Sequence, residues 1–128
     1  MGLLGQLATF AKRAAWAATG SQAAGRALVR DLGDPDENVR TIAGILVQRA
    51  GRRAKPLLLE ALARREALPN VLLILGDLGD PAVEPQISKF TSDPDPRVAR
   101  AAADALQLLA VHRRAAESAS ERVGSSSP

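Results

Sequence analysis

The sequence predicts an all-α fold, a right-handed α-solenoid of about three helical hairpins with an N-terminal capping helix. The first reason is composition. Of 128 residues, 46% are hydrophobic but only 2% are aromatic, and a core of Ala, Leu, Val and Ile suits closely packed helices better than a sheet. The second reason is a recurring helical pattern of apolar residues anchored by Val39, Val71 and Val98. The spacing between these anchors is typical of stacked helical repeats.

Apolar residues at three-and-four spacing define the individual helices. The pattern predicts helices near residues 3–18, 22–32, 35–50, 54–65, 68–78, 82–91 and 95–114. After the first helix they fall into hairpins, and each hairpin is one repeat. We therefore expect an amphipathic capping helix in 1–21, a repeat domain in 22–114 and a disordered tail in 115–128, because the tail loses its periodicity and ends in serines.

The stretch DPDENVR at 34–40 marks a turn between two helices. Gly33 is expected to end the preceding helix in the left-handed conformation, and Asp34 to accept hydrogen bonds from the free amides of the next helix. Pro35 suits the first helical position, where no amide partner is needed. Glu37, three residues after Asp34, completes a capping box. The sequence thus predicts that Asp-Pro here is helix punctuation.

The stretch DPDPRVA at 93–99 repeats this arrangement, with either Asp93 or Asp95 as the cap. Asp34 with Asp36, and Asp93 with Asp95, also resemble the paired carboxylates of hydrolytic sites. Because the two sets lie in equivalent turns and each has a capping role, we interpret them as helix caps.

Three stretches resemble HEAT repeats of the short bacterial kind, which also occur in phycobilisome-lyase-like proteins: LGDPDENVRTIAGILVQRAG, LGDLGDPAVEPQISKF and SDPDPRVARAAADALQLL. The resemblance covers about residues 22–112. The positions that match the family pattern are Asp34, Val39 and Arg40 in the first repeat and Pro85, Asp93 and Val98 in the third. The resemblance implies an Asp-to-basic ladder between adjacent repeats, and this ladder is incomplete because Ala99 replaces the basic residue in the third repeat.

Few residues offer catalytic or metal-binding chemistry. The chain has no cysteine and a single histidine, His112, so thiolate ligands and a cysteine nucleophile are excluded, and any base-assisted nucleophile would depend on that histidine. His112 lies in the last turn of the last predicted helix, where an exposed side chain interacts with the helix dipole. The glycines form no phosphate-binding spacing. We expect no enzyme, no catalytic residues, no metal and no cofactor.

Charge is expected to alternate along both edges of the stack, since turns between hairpins lie on one edge and turns within hairpins on the other. The edge between hairpins carries a basic group, an acidic group and a basic group: Arg49, Arg52, Arg53 and Lys55; Asp77, Asp80 and Glu84; Arg113 and Arg114. The other edge has the opposite order: Asp34, Asp36 and Glu37; Arg64 and Arg65; Asp93 and Asp95. This alternation argues against an extended nucleic-acid groove, which needs one sign throughout. The basic candidate that remains is a local partner-binding site at residues 49–55.

The predicted N-terminal helix has two interpretations. Its apolar face comprises Leu3, Leu7, Phe10, Ala14 and Ala17. The face can cover the open end of the first repeat or lie on a membrane surface, and the sparse positive charge favours the first. No stretch reaches the roughly 18 apolar residues of a membrane span, and Lys12 and Arg13 follow the apolar start, unlike the charges of a secretory signal. We expect a cytoplasmic protein.

The predicted function is non-catalytic protein binding by an adaptor, scaffold or accessory subunit. The second helices of successive repeats line one concave face, which a partner helix or peptide meets at little ordering cost. The outward polar candidates on that face are Thr41, Gln48, Arg97, Arg100, Asp104 and Gln107, and the secondary site is Arg49, Arg52, Arg53 and Lys55. Two alternatives are a nucleic-acid-binding HEAT-like protein that uses local basic patches and a phycobilin-lyase-like accessory protein. Self-association through the apolar ends of the stack is also open.

Overall fold

The fold was analysed in a computed structural model, which describes residues 22–125 and the single residues 7 and 11. The helices are α1 (Gln22–Arg30), α2 (Glu37–Ala50), α3 (Lys55–Arg64), α4 (Leu68–Leu78), α5 (Glu84–Ser88) and α6 (Pro96–Ser125). Short 3-10 segments follow α1 (Asp31–Gly33) and precede α3 (Gly51–Ala54) and α5 (Pro81–Val83). Residues 22–125 contain no strand. The all-α prediction is confirmed.

The predicted N-terminal helix, and the choice between a cap and a membrane-surface segment, lie outside the described residues. Of the apolar face that the sequence assigns to it, only Leu7 is described, and its side chain is 56% exposed.

The helices pack as three hairpins, α1 with α2, α3 with α4 and α5 with α6. Contacts also join successive hairpins, because α1 packs on α3, α2 on α4, and α4 on α6. The contact between α4 and α6 is the most extensive in the described part of the chain. The second helices of the three hairpins, α2, α4 and α6, therefore contact one another in chain order.

Aliphatic side chains from all three hairpins form the core, which includes the fully buried Leu28, Leu58, Leu72 and Ile87. Burial of each such side chain stabilises the fold by about 1.5–3 kcal/mol. The three anchor valines of the sequence pattern are also buried: Val39 is 4% exposed, Val71 0% and Val98 3%. Each lies in the first turn of a second helix, so the anchors occupy equivalent positions, as the sequence predicts.

Small residues bring α4 and α6 close together. A Cβ atom added to Gly76 of α4 would lie 2.7 Å from both the Cα atom and the carbonyl oxygen of Ala105 on α6. Ala101 and Ala102, one helical turn before Ala105 on α6, are also buried. Gly76 lies inside α4, and the absence of a side chain permits this close backbone approach.

The first Asp-Pro turn caps α2 with a different residue from the one predicted. Helix α2 begins at Glu37, and the Asp36 carboxylate accepts a hydrogen bond of 2.8 Å from the Asn38 amide. Asp34 instead accepts from the Asp36 amide at 2.8 Å. The Arg40 guanidinium donates to the carbonyl oxygens of Asp34 (2.7 Å) and Pro35 (2.9 Å) and holds both residues in the turn. Asp36, not Asp34, is therefore the cap, and Pro35 precedes the helix.

The second Asp-Pro turn uses Asp95 as its cap. Helix α6 begins at Pro96, and the Asp95 carboxylate accepts a 3.0 Å hydrogen bond from the Arg97 amide. Asp93 accepts from the Asp95 amide, also at 3.0 Å. The amide and the guanidinium of Arg97 both lower the pKa of Asp95. The second aspartate of each turn is thus the helix cap, so the capping interpretation is confirmed for Asp95 and was wrong for Asp34.

Gly33 does not adopt the left-handed conformation that the sequence predicts, since the described glycines with positive φ are Gly51 (58°) and Gly79 (76°). The turn between α1 and α2 instead passes close to the turn between α3 and α4. A Cβ atom on Gly33 would lie 3.1 Å from the Cβ of Ala67. Gly33 thus serves close approach between neighbouring turns.

The disordered tail predicted from residue 115 was wrong over residues 115–125, which continue α6 as regular helix. The side chains of residues 111–122 are all exposed. Apolar periodicity indicates that one side of a helix is buried. The loss of this periodicity therefore correctly indicated that the segment extends beyond the core. Helicity persists because Ala, Glu and Arg are strong helix formers and dominate the stretch AAESASER.

Candidate partner-binding surfaces

The first candidate surface is the exposed side of the second helices, named here the second-helix face. On α2 it carries Thr41, Ile45 and Gln48, which recur at helical spacing. Helix α4 adds Leu73 and Asp77. Helix α6 adds Arg97, Arg100, Asp104, Gln107 and Val111, all exposed except the half-buried Asp104. The opposite sides of the same helices carry the buried residues of the core.

A groove of about 330 Å³ runs between α2 and α4 on this face. Thr41, Gly44 and Leu73 line its middle. Glu37, Arg40 and Asn70 line the end nearest the helix N-termini, where the Asn70 amide donates to the Leu32 carbonyl. Towards the other end of the two helices, Gln48 Nε2 donates to Asp77 Oδ2 at 3.3 Å. The groove is therefore bordered by polar contacts that tie the first hairpin to the second.

All six polar residues predicted for the concave face lie on second helices at accessible positions. Three of them form ion pairs: Arg97 pairs with the cap residue Asp95 at 3.4 Å, and Arg100 pairs with Asp104 along α6 at 3.9 Å. The sequence interpretation missed Ile45, Leu73 and Val111. The run Val71-Leu72-Leu73-Ile74-Leu75 is apolar on every side of α4, so residue type hid the exposed position. Projection from the anchor Val71 around the helix would have placed Leu73 nearly opposite the core.

The second candidate surface is a cleft of about 580 Å³ between two loops, named here the edge cleft. One wall is Gly51 and Arg52, from the link between α2 and α3, together with Lys55, the first residue of α3. The other wall is Gly79, Asp80 and Pro81, from the link between α4 and α5. Leu75, Leu78 and Val83 line the apolar remainder. The edge cleft thus contains two of the residues predicted for the secondary basic site, Arg52 and Lys55.

One ion pair crosses the edge cleft. Lys55 Nζ lies 2.6 Å from Asp80 Oδ2, and the Ala82 amide donates to Asp80 Oδ1 at 2.9 Å. The Lys55 ammonium, followed by the Ala82 amide, lowers the pKa of Asp80, and the positive charge of Arg52 acts in the same direction. This charged contact therefore ties the start of the second hairpin to the link that leads into the third.

Two glycines in the left-handed region shape the edge cleft. Gly51 has open space where a Cβ atom would lie. A Cβ atom on Gly79 would lie 2.7 Å from Cγ of His112, so the histidine ring covers the back of this turn. His112 is exposed, as expected. Its predicted place at a helix end was wrong, because α6 continues to Ser125.

The predicted alternation of charge along both edges appears as ion pairs between oppositely charged side chains. On the edge between hairpins, Arg113 of α6 lies 3.3 Å from Glu84 of α5, a contact within the third hairpin. On the other edge, the Arg65 guanidinium lies 2.9 Å from Asp93 and 5.9 Å above the Phe90 ring. Arg40, which the resemblance placed in an Asp-to-basic ladder, binds backbone carbonyls of its own turn instead. Arg65 makes the link between turns.

The described residues hold no group of three or more His, Cys, Asp or Glu side chains that could bind a metal ion. Across residues 22–125, none of the helices combines the length and hydropathy needed to cross a bilayer.

Comparison of the chain with protein-family models, curated proteins and solved structures finds no match in any of the three. Its function must therefore be inferred from the residues and geometry of the two surfaces.

Proposed function

We propose that the chain is a non-catalytic protein-binding module, a short right-handed HEAT-like α-solenoid that acts as an adaptor, scaffold or accessory subunit. The stacking is supported by the contacts of α1 with α3, α2 with α4 and α4 with α6. Neighbouring repeats of a solenoid contact one another in this sequential way. The partner binds to the second-helix face.

The observation that carries this proposal is where the exposed apolar residues lie. From residue 22 onward, the exposed large apolar side chains of the described chain are Ile45 (47%), Leu73 (37%) and Val111 (55%). They belong to α2, α4 and α6 respectively, so each second helix supplies one. Single exposed apolar residues are common on protein surfaces, but their restriction to one structural layer indicates a binding face.

The chemistry of the groove favours a helical or extended peptide with aliphatic anchors. Leu73 offers an apolar contact, and the carboxamides and charged groups at either end can fix the orientation of the ligand. Recognition of an amphipathic helix by a groove uses this combination of apolar centre and polar ends. Because Leu73 lies on a helix packed on both neighbours, little conformational freedom is lost when the partner binds.

The ion pairs along both edges support a protein partner over a nucleic acid. Lys55, Arg65 and Arg113 each face a carboxylate within 3.3 Å, whereas a phosphate-binding surface keeps its cations free for the ligand. An affinity for the partner that changes little with salt concentration would agree with a protein partner. No observation on the described residues specifically favours the phycobilin-lyase-like alternative.

The test is affinity capture from a native lysate with a photo-crosslinking residue in place of Leu73. We expect this probe to capture a discrete polypeptide, and the double substitution Ile45→Glu with Thr41→Glu to abolish capture, because buried charge in an apolar contact is costly. The matched control is Ala63→Glu with Gln86→Glu, which adds the same charge at exposed positions of α3 and α5. Equal capture by both double variants would contradict the proposal.

A further inference from the structure

The edge cleft has the composition of a ligand site that is separate from the second-helix face. Its volume of about 580 Å³ lies within the range of roughly 300–1,000 Å³ typical of binding pockets. Such pockets combine a mainly apolar lining with a few convergent polar groups. Here Leu78 and Pro81 are the accessible apolar side chains, and Leu75 and Val83 are buried behind them.

The charge of the lining defines the charge of the ligand. Arg52 and Lys55 contribute two positive charges and Asp80 one negative charge. Lys55 and Asp80 compensate each other at 2.6 Å, which leaves the charge of the exposed Arg52 guanidinium to be balanced by a ligand. A guanidinium binds a carboxylate through two parallel hydrogen bonds. The complementary ligand is therefore a monoanion with an aliphatic group.

We infer that the edge cleft binds the C-terminal residue of a partner polypeptide, with its carboxylate on Arg52 and its aliphatic side chain against Leu78 and Pro81. A C-terminal residue carries both groups on one Cα atom, so a single residue satisfies the charge and the apolar wall together. A C-terminal residue also needs space for only one end of a peptide. An internal Asp or Glu would instead require the peptide chain to continue through the cleft between the two loops. Terminal carboxylates are a recurring target of peptide-binding domains.

The glycine backbone of both walls keeps the cleft open. Gly51 presents no side chain to the space around it, and Gly79 is backed by the His112 ring. A bulkier residue at either position would be strained, because both have φ in the left-handed region. Because both glycines line the cleft, the chemical shifts of their backbone amides are sensitive to a bound ligand.

The experiment is a titration of the full chain, labelled with ¹⁵N, followed by amide chemical shifts. The probe is the peptide acetyl-Gly-Ser-Leu with a free C-terminal carboxylate, and its matched controls are the same peptide with a C-terminal amide and acetyl-Gly-Ser-Ser with a free carboxylate. We expect the first peptide to shift the amides of Gly51, Gly79 and Asp80. Both controls should bind about tenfold more weakly, the loss expected for one charged hydrogen bond or one aliphatic contact.

Two variants separate this site from a general surface effect. Arg52→Gln should abolish the preference for carboxylate over amide, whereas Arg64→Gln, an exposed arginine of α3 paired with Glu60 at 2.8 Å, should leave it unchanged. Asp80→Asn retains a capping side chain for the 3-10 segment and releases Lys55, so it should tighten binding of the carboxylate peptide severalfold.

Equal binding of the carboxylate and amide peptides would overturn the inference. So would an absence of shifts at Gly51 and Gly79 at about 5 mM peptide, where even a millimolar dissociation constant is detected. Weaker binding by a folded Asp80→Asn variant would likewise contradict it, because removal of a competing carboxylate must favour an anionic ligand.

Discussion

The close contact of α4 with α6 makes an unusual prediction for Gly76→Ala. Replacing glycine by alanine inside a helix normally stabilises a protein by about 0.5–1 kcal/mol, because alanine has the higher helix propensity. At Gly76 the new Cβ atom would lie 2.7 Å from the Cα and carbonyl oxygen of Ala105, whereas carbon atoms pack best at about 3.5–4.0 Å. Helix α6 must therefore move away by about 1 Å.

Overpacking of this kind costs about 1–3 kcal/mol, and the upper part of that range applies here because the obstructing atoms are backbone. After subtraction of the propensity gain, we expect Gly76→Ala to lower the free energy of unfolding by about 1–2 kcal/mol. Gly44 on α2 is the matched control, because its added Cβ atom meets nothing nearer than Leu32 Cδ2 at 4.0 Å. Gly44→Ala should therefore stabilise the protein by about 0.5–1 kcal/mol.

The assay is urea unfolding followed by far-ultraviolet circular dichroism, with the midpoints compared at equal m-values. The two substitutions are chemically identical, so opposite signs isolate the contact between α4 and α6. Stabilisation by Gly76→Ala similar to that by Gly44→Ala would refute the close packing of these helices.

Two further predictions concern the aspartates of the turns. Asp36→Ala should lower the free energy of unfolding by about 0.5–2 kcal/mol, the usual cost of a lost N-cap, while Asp36→Ser should restore most of it; urea midpoints measure both, and an Asp36→Ala variant as stable as the wild type would contradict this cap. The pKa of Asp80 is lowered in the folded chain, so its contribution to stability is present above the ordinary value of 3.8 and is lost as the pH falls through the lower folded pKa. Unfolding midpoints between about pH 5 and pH 2 should fall less steeply for Asp80→Asn than for the wild type, and identical slopes would exclude the stabilising role of this carboxylate.

Several features of the fold could be predicted because local chemistry determines them. Helix α4 has the predicted bounds, since its apolar run ends at Gly79, whose left-handed conformation stops the helix. The alternation of charge along the two edges could be predicted, because the order of the helices assigns each turn to one edge of the stack. The distances between paired charges could not be predicted, because they depend on how closely the helices and turns approach one another.

Other features depend on tertiary contacts that a linear pattern does not contain. In Asp-Pro-Asp either aspartate can cap the following helix. In the structure Asp36 is the cap, and the Arg40 guanidinium donates to the carbonyl oxygens of the two residues before it. Gly33 was expected to end a helix in the left-handed conformation, but, like Gly76, it serves close approach to another segment. The edge cleft was also beyond prediction as a cavity, because its two walls come from loops about one repeat apart in the sequence.

Zero-length cross-linking of position 26 to Glu60 in an Arg26→Lys variant tests most directly whether successive hairpins stack. Arg26 lies on α1 of the first hairpin, and its guanidinium is 2.9 Å from the carboxylate of Glu60 on α3 of the second hairpin. A carbodiimide joins an amine to a carboxylate only in contact, and the natural chain has only three lysines, so the peptide map is simple. The stacked arrangement predicts a cross-link from position 26 to Glu60 in dilute native protein that disappears in urea. Cross-links from position 26 only to carboxylates of its own hairpin, such as Glu37, would contradict it.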